Sequence, residues 1–268
     1  MGDDGSARRA RRTAMLCTGL GLGAMILAPL ARPAGAAPTT GGESVRDAAR
    51  ALAAEGRAPA LEVPAVVYAP QVSRPTPQPV TVLLHGLCGD PGRACAPFVG
   101  ASTARGWLVC PRGEDACGGG SRWRLRPEDD MQRVEASVGA LARDRKDEVD
   151  LSSPRILVGF SLGGIAAVRI AQSAEAPPGL YAGLVVIASQ VHPDPALLMR
   201  AGIKRVVLAA GDLDITSKPL QQDARTLAEA GLPTRFVSLG KFGHGYPPDM
   251  EERMREPMAW VAGAPDGA

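Results

Sequence analysis

From residue 61 onward, short runs of valine, isoleucine and leucine alternate with longer segments in which apolar residues recur at helical spacing. The runs that predict strands are Leu61–Tyr68, Val80–Leu84, Trp107–Pro111, Ile156–Phe160, Leu184–Ala188, Val206–Ala210 and Arg235–Leu239. Such near-continuous apolar strands, separated by helices, are typical of a sheet that is buried on both faces. The pattern therefore predicts an α/β fold with a mostly parallel central sheet and helices on both faces.

The helical segments are recognised by one apolar face or by small residues at their start. The segments that predict helices are 127–146, 164–168, 220–230 and 250–261. The first is amphipathic, with its apolar face formed by Met131, Val134, Val138, Leu141 and Ala142. The proline-rich stretch 70–79 predicts an irregular connection between the first two strands.

The first 36 residues have the composition of an export signal. Four arginines within residues 8–12 precede the charge-free segment 13–31, and Ala34-Gly35-Ala36 then offers the small-x-small pattern that signal peptidases accept. We expect cleavage near Ala36, by the Sec or the twin-arginine route, and a secreted or periplasmic protein. A single membrane anchor is the alternative, but three glycines and a proline interrupt the apolar segment and no basic stop-transfer cluster follows. Residues 37–60 are then a lead-in with a short helix at 44–55, and residues 61–262 form one domain.

Removal of this segment changes the charge balance of the chain. It carries five of the 30 basic and two of the 28 acidic residues, so the remainder has 25 and 26 of them and a net charge of −1. The basic character therefore belongs to the signal, and we expect no nucleic-acid partner and no membrane association once the signal is removed. The sequence carries no indication of an oligomeric state.

Four of the five cysteines, Cys88, Cys95, Cys110 and Cys117, lie close together in the expected mature chain. Export would place them where disulfides persist, and four cysteines allow three connectivities. Proximity in the sequence favours the local pairs Cys88–Cys95 and Cys110–Cys117, each of which closes a short loop. A metal site is the alternative, but the chain has no Cys-x-x-Cys and no adjacent histidine pair, so no metal is expected.

The sequence Gly159-Phe160-Ser161-Leu162-Gly163 lies between a predicted strand and a predicted helix. A serine on such a tight turn has a strained backbone and an exposed hydroxyl, and the glycines two residues before and after it avoid collisions with neighbouring backbone. The context makes Ser161 a candidate nucleophile rather than a chance match in a chain with 32 glycines.

A serine nucleophile needs a neighbouring base, and the chain has three histidines. His85 ends a strand and is expected to order a loop, whereas His192 either lines the site or lies on a solvated loop. His244 follows the last predicted strand, downstream of Ser161, which agrees with the serine-acid-histidine order found when the serine lies on a strand-turn-helix motif. We therefore expect His244 to be the base.

An acid must orient this histidine, and Asp212 and Asp214 both follow the strand Val206–Ala210. The Gly-x-x-Asp spacing from Gly211 favours Asp214 beneath the histidine, with Asp212 holding the turn through its own backbone. An oxyanion hole needs two backbone N–H groups, which we assign to Leu162, directly after the serine, and Leu87, in the loop after Val80–Leu84.

With these residues assembled, the chain resembles the α/β-hydrolase superfamily, and more closely its phospholipase/carboxylesterase and dienelactone-hydrolase-like branch. The segments that carry the resemblance are 83–87, 150–156, 159–164, 211–214 and 243–244. The resemblance implies a cofactor-free serine hydrolase that acts through an acyl-enzyme. The export signal and the clustered cysteines differ from typical intracellular members and are similar to features of secreted polyester- and feruloyl-ester-cleaving enzymes.

We therefore expect a hydrolase of small-molecule carboxylic esters. A serine peptidase on the same triad and a non-catalytic binding protein on a hydrolase scaffold are the alternatives. The segment 118–126 carries Trp123 and three arginines after a strand at the expected active-site edge. Either Trp123 contacts an aromatic or anionic ester, or it packs against the domain.

Overall fold

The computed structural model describes residues 65–265 of the 268-residue chain. The expected signal, the lead-in and the first four residues of the strand predicted at Leu61–Tyr68 lie outside this range, so their predictions stay predictions. Within the described range, none of the helices has both the length and the apolar character needed to cross a bilayer.

A seven-stranded sheet forms the centre of the described residues. Its strands are β1 (Ala65–Tyr68), β2 (Val80–Leu84), β3 (Trp107–Pro111), β6 (Arg155–Phe160), β7 (Tyr181–Ile187), β8 (Arg205–Ala210) and β9 (Thr234–Ser238). They are ordered β1-β3-β2-β6-β7-β8-β9, and all pairs are parallel except the antiparallel pair of β1 with β3. A separate antiparallel hairpin is formed by β4 (Asp115–Cys117) and β5 (Gly120–Arg122).

Helices cover both faces of the sheet. They are α1 (Pro91–Cys95), α2 (Val99–Thr103), α3 (Pro127–Asp144), α4 (Leu162–Gln172), α5 (Pro195–Ala201), α6 (Ser217–Glu229) and α7 (Met250–Val261), with a 3₁₀ turn at Ala96–Phe98. One core joins the sheet to α3, α4, α5 and α6, and the other joins it to α1, α2 and α7. The expected α/β architecture is confirmed.

The alternation of side chains along each strand explains why both faces are apolar. In β2, Val82 and Leu84 enter one core and Leu83 enters the other, and all three are buried. Since successive strand residues point to opposite faces, a sheet covered on both sides requires the continuous apolar runs seen in the sequence. Full burial of each large aliphatic side chain stabilises the fold by about 1.5–3 kcal/mol.

The longer elements lie where the sequence predicted them, with small shifts at their ends. Strand β7 begins at Tyr181 rather than Leu184, and helix α6 begins at Ser217 rather than Leu220. The hairpin and the short helices α1, α2 and α5 were not predicted, because three to seven residues are too few to show a periodic pattern.

The parallel strands place the carboxyl ends of β2, β3, β6, β7, β8 and β9 at one edge of the sheet. Ligands bind outside this edge in open α/β sheets. The segments that follow β2, β6, β8 and β9 carry Leu87, Ser161, Asp214 and His244, respectively. The topology therefore brings all four to the same edge.

The disulfides join Cys88 to Cys117 and Cys95 to Cys110, so the predicted local pairing is wrong. Cys95 ends helix α1 and is buried against Cys110 of β3, with the two Cα atoms 6.4 Å apart. Cys88 lies in the exposed loop after β2, where the β4–β5 hairpin brings the Cα of Cys117 to within 4.8 Å. Disulfides of this kind are typical of extracellular and periplasmic proteins.

Removing the buried disulfide is expected to destabilise the fold. The Cys95→Ala/Cys110→Ala variant should lose about 3 kcal/mol of unfolding free energy from the closed loop, and about 1 kcal/mol more from the cavity in the core. The measurement is urea denaturation. The Cys88→Ala/Cys117→Ala variant is the control, because it loses a comparable closed loop at the surface and leaves the core packed. A non-reduced digest that links Cys88 to Cys95 would contradict the connectivity.

Candidate active site

Ser161 alone makes the turn between strand β6, which ends at Phe160, and helix α4, which begins at Leu162. Its backbone has φ 53° and ψ −118°, a conformation that costs a non-glycine residue about 1–3 kcal/mol. Its N–H donates to the carbonyl of Ile187 at 2.9 Å, and its own carbonyl accepts from the Ser189 hydroxyl at 2.7 Å. The end of the neighbouring strand therefore holds the strained turn in place.

The glycines on either side of Ser161 leave no space for a side chain. A Cβ at Gly159 would lie 2.3 Å from the carbonyl oxygen of Gly163, and a Cβ at Gly163 would lie 2.1 Å from that of Leu84. These distances are far shorter than any van der Waals contact. Only glycine at both positions lets helix α4 start this close to the end of β2.

The side chains of Ser161, His244 and Asp214 are joined in series at this turn. The Nε2 atom of His244 is 2.9 Å from the Ser161 hydroxyl oxygen, and its Nδ1 atom is 2.8 Å from Oδ2 of Asp214. With the ring proton on Nδ1, His244 donates to the carboxylate, and Nε2 can accept the proton of the serine hydroxyl. The imidazole is half-exposed, whereas the Asp214 carboxylate is buried.

The surroundings of Asp214 favour its ionised form. Burial opposes ionisation, but hydrogen bonds from Thr216 and His244 outweigh it and lower the pKa of the carboxyl below its usual value. The Thr216 backbone N–H donates to the second carboxylate oxygen at 2.8 Å. A buried anion is therefore present next to the imidazole at neutral pH.

Asp212 lies on the same turn but points elsewhere. Its carboxylate accepts a hydrogen bond from the Ser238 hydroxyl at 2.5 Å, and its N–H donates to the carbonyl of Gly240. The structure thus brings Asp214 to His244 and leaves Asp212 holding the connection to strand β9.

Leu87 and Leu162, the residues predicted to supply the oxyanion hole, both lie near Ser161. Leu162 is the first residue of α4, and Leu87 lies in the loop after β2 and lines the same cleft as Ser161. Within residues 65–265, neither N–H donates to another protein group. A Cβ at Gly86 would lie 2.9 Å from the Phe160 ring, so the loop lies directly against the serine turn.

His85 and Trp123 hold the loop that carries Leu87 in place through buried hydrogen bonds. His85 is buried, with Nδ1 2.7 Å from the Gly86 carbonyl and Nε2 3.0 Å from the Ser121 hydroxyl, and burial lowers its pKa. The Trp123 indole N–H donates to the His85 carbonyl at 2.8 Å. Because Trp123 is only 2% exposed, it packs beneath the loop and does not line the cleft beside Ser161.

His192 also lies away from the cleft. Its side chain is 78% exposed, and Nδ1 lies 3.0 Å from a carboxylate oxygen of Asp223 on helix α6. The structure therefore places His192 at the surface rather than beside Ser161.

The cleft beside Ser161 has an aromatic wall that sequence reasoning missed. The rings of Phe160 and Tyr246 lie 4.5 Å apart, and Phe160 is 5.3 Å from the His244 ring. We call this depression of about 900 Å³ the aromatic cleft; Phe160, Ser161, His244, Tyr246, Leu87 and Ala94 line it. A signal was present in the sequence, because each aromatic residue is within two positions of Ser161 or His244.

In the described part of the chain, no group of three or more His, Cys, Asp or Glu side chains is placed to hold a metal ion. The chemistry available at the cleft is that of a hydroxyl, an imidazole, a carboxylate and backbone N–H groups.

No family model and no curated protein matches the sequence. Solved structures are nevertheless similar. An esterase from Rhizomucor miehei is 15% identical with a TM-score of 0.56, over 84% of this chain and 91% of that one. The fluorophosphonate-binding serine hydrolase FphF of Staphylococcus aureus is 13% identical with a TM-score of 0.55, over 77% and 96%. The Bacillus cereus carboxylesterase is 19% identical with a TM-score of 0.51, over 75% and 94%. The described residues therefore have the α/β-hydrolase fold.

A buried carboxyl group lies under the segment that follows the β4–β5 hairpin. Asp130, in the first turn of α3, is fully buried; within residues 65–265 its carboxylate oxygens make no well-aligned hydrogen bond, although the Glu114 carboxyl and the backbone of Arg124 and Leu125 lie near enough to shift its pKa. Glu114 is next to it and accepts from the backbone N–H of Arg124 at 3.1 Å. Burial, followed by the charge of Glu114, raises the pKa of Asp130 to about 7.

Replacing this acid by its neutral isostere should stabilise the protein at high pH. As the pH rises through the unfolded-state pKa, near 4, the unfolded chain releases this proton and the folded protein keeps it until about pH 7. Stability therefore falls with rising pH across this window, and Asp130→Asn removes the loss. Relative to wild type, the variant should gain about 4 kcal/mol of unfolding free energy between about pH 4 and pH 8.

Urea denaturation across this pH range measures the difference. Asp129→Asn, at the adjacent and more exposed carboxylate, is the control and should show no such gain. A stability difference for Asp130→Asn that does not change with pH would contradict the raised pKa.

Proposed function

We propose that this chain is an exported serine hydrolase that cleaves carboxylic esters through an acyl-enzyme. The observation that carries the proposal is the series contact of Ser161, His244 and Asp214, with separations of 2.9 Å and 2.8 Å. A serine hydroxyl within reach of a base, itself oriented by a carboxylate, is the arrangement that activates a serine nucleophile.

In the proposed reaction, the Ser161 oxygen forms a bond with the ester carbonyl carbon as His244 Nε2 takes the hydroxyl proton. The tetrahedral oxyanion accepts hydrogen bonds from the N–H groups of Leu87 and Leu162, each of which lowers the barrier by about 3 kcal/mol. The carbon–oxygen bond to the alcohol then breaks, and the alcohol leaves with the proton from His244. Water, deprotonated by His244, attacks the acyl-enzyme and releases the acid and Ser161.

The role of Asp214 in this reaction is to hold His244 in the productive tautomer. Its ionised carboxylate accepts from Nδ1, so that Nε2 faces the serine and the imidazolium formed during proton transfer is stabilised. Because the carboxylate is buried, water weakens this interaction less than it would weaken a fully exposed pair.

Ester chemistry is favoured over peptide cleavage by two observations. The similar structures are described as esterases, a carboxylesterase and serine hydrolases. The aromatic cleft has a volume of about 900 Å³, which is in the range of small-molecule sites.

Export is supported by two independent features. The N-terminal residues have the order of a signal peptide, and the two disulfides are of the kind that persists in oxidising compartments.

The decisive experiment is the substitution Ser161→Ala. Wild-type protein should hydrolyse p-nitrophenyl esters and be labelled by a fluorophosphonate probe. The variant should not be labelled, and its kcat should be lower by roughly 10⁵–10⁶-fold. A circular dichroism spectrum and a melting curve establish that the variant is folded. Ester cleavage that persists in the variant would refute the assignment of Ser161. Wild-type protein that is neither labelled nor able to cleave esters would indicate a binding protein. Faster turnover of peptide anilides than of esters would indicate a peptidase.

Asp214 and Asp212, both in the turn after β8, provide a test variant and its control. Asp214→Asn should lower kcat by about 10⁴-fold, because the amide cannot fix the same imidazole tautomer. Asp212→Asn, whose side chain contacts Ser238 instead, should lower kcat less than about threefold, since exposed substitutions away from a site have small effects. Equal losses in p-nitrophenyl ester hydrolysis, or a larger loss for Asp212→Asn, would show that the acid has been misassigned.

A further inference from the structure

A second depression meets the aromatic cleft at Leu87. It has a volume of about 600 Å³, and we call it the arginine groove; its lining includes Leu87, Leu162, Trp123, the three arginines Arg122, Arg124 and Arg126, and the carboxylate of Asp115. Leu87 and Leu162 are the two residues to which the oxyanion hole is assigned. The arginine groove therefore begins at residues next to Ser161, which itself lines the aromatic cleft.

The arginine groove carries more positive than negative charge. Arg124 is closely paired with Asp115 at 2.8 Å, and Arg122 is 3.8 Å from the same carboxylate. Arg126 is 4.0 Å from Asp129. Arg124 also lies 3.8 Å from Asp129, so three arginines share two carboxylates and one positive charge is in excess. The side chains of Arg122 and Arg126 are 55% and 74% exposed and contact their carboxylates only at 3.8 Å and 4.0 Å, so both guanidinium groups can also contact an anion.

The backbone of the arginine groove is held in a fixed shape. Leu125 has φ 59°, and its carbonyl accepts a hydrogen bond from Arg169 on helix α4 at 2.6 Å. The N–H of Arg124 donates to Glu114, and Trp123 is buried beneath the loop that carries Leu87. Because this backbone is already fixed, binding a ligand in the arginine groove costs little backbone entropy.

His244 determines which half of an ester enters which depression. The departing alcohol must receive its proton from Nε2, so its oxygen has to lie on the His244 side of the carbonyl carbon. His244 lines the aromatic cleft and does not line the arginine groove. The alcohol therefore leaves through the aromatic cleft, and the acyl chain extends past Leu87 and Leu162 into the arginine groove.

We infer that the preferred substrates are esters of acids that carry a second, anionic group at the far end of the acyl chain. This inference rests on the proposed esterase function and names its substrate class. Arg122 and Arg126 bind the distal carboxylate, because the planar guanidinium matches a carboxylate in a bidentate geometry. The bond from Ser161 to the carbonyl carbon forms, the bond to the alcohol oxygen breaks, and water then releases the dicarboxylic acid.

The test compares esters that differ only in the charge at the end of the acyl chain. Mono-p-nitrophenyl adipate carries the distal carboxylate, and its methyl-capped diester has the same length without the charge. Wild-type kcat/KM should be about tenfold higher for the charged ester, which corresponds to about 1.4 kcal/mol. The advantage should shrink as salt is added, because both arginines are exposed.

The variant Arg122→Gln/Arg126→Gln should reduce this ratio to about one. The control is Arg143→Gln/Arg200→Gln, which makes the same change in net charge on helices α3 and α5, outside the arginine groove, and should keep the wild-type ratio. A further readout needs no turnover: calorimetric titration of Ser161→Ala should show tighter binding of the charged ester than of the capped one.

Three results would overturn the inference: no preference for the charged ester, a preference that survives in Arg122→Gln/Arg126→Gln, or an equal loss in the control. Failure of the proposed function is distinguishable, because p-nitrophenyl hexanoate would then also resist hydrolysis and Ser161 would not be labelled. If hexanoate is cleaved and the charged ester is not preferred, the esterase stands and only the substrate class is wrong.

Discussion

The site depends on one close approach, that of the turn carrying Ser161 to the end of strand β2. At Gly163 a single added carbon would lie 2.1 Å from the Leu84 carbonyl oxygen, so the helix after the serine starts almost in contact with the neighbouring strand. This proximity places the N–H of Leu162 and the loop carrying Leu87 around the same hydroxyl. A side chain at Gly163 would force the serine turn away from strand β2 and from the loop that carries Leu87. The hydroxyl would then no longer lie next to these groups.

Backbone strain is concentrated at this edge of the sheet. The non-glycine residues with positive φ in the described range are Cys88, Leu125, Ser161 and Ala188. Each lies in a loop on the side of the sheet where the parallel strands end, and each conformation costs about 1–3 kcal/mol. Specific contacts offset the cost: a disulfide at Cys88, the Arg169 hydrogen bond at Leu125, and backbone hydrogen bonds at Ser161 and Ala188. The strained residues therefore help to set the orientation of these loops. The two large hydrophobic cores supply the stability of the fold.

The parts of the molecule that could be predicted from the sequence are those encoded locally. The strand-turn-helix pattern around Ser161, the Gly-x-x-Asp spacing at Asp214 and the order of serine, acid and histidine along the chain were sufficient to predict which side chains would meet. The disulfide pairing could not be predicted, because it depends on α1 and on the β4–β5 hairpin, which are too short to show periodicity. The burial of Trp123 is likewise a tertiary property, since only the packing of the hairpin against His85 decides whether that indole faces the core or the solvent.

The same edge also shows that burial by itself does not set the charge of an acid. Asp214 and Asp130 are both almost inaccessible to solvent, yet the pKa of the first is lowered and that of the second is raised to about 7. The difference is in which contribution prevails: at Asp214 the hydrogen bonds from Thr216 and His244 outweigh burial, whereas at Asp130 burial and the neighbouring Glu114 carboxyl outweigh the backbone hydrogen bonds from Arg124 and Leu125. Groups whose environments move their pKa values in opposite directions are characteristic of sites where protons are transferred. Of these two acids only Asp214 contacts His244, so the fixed negative charge lies where an imidazolium would form, and Asp130, with its raised pKa, lies next to the segment that carries the arginines.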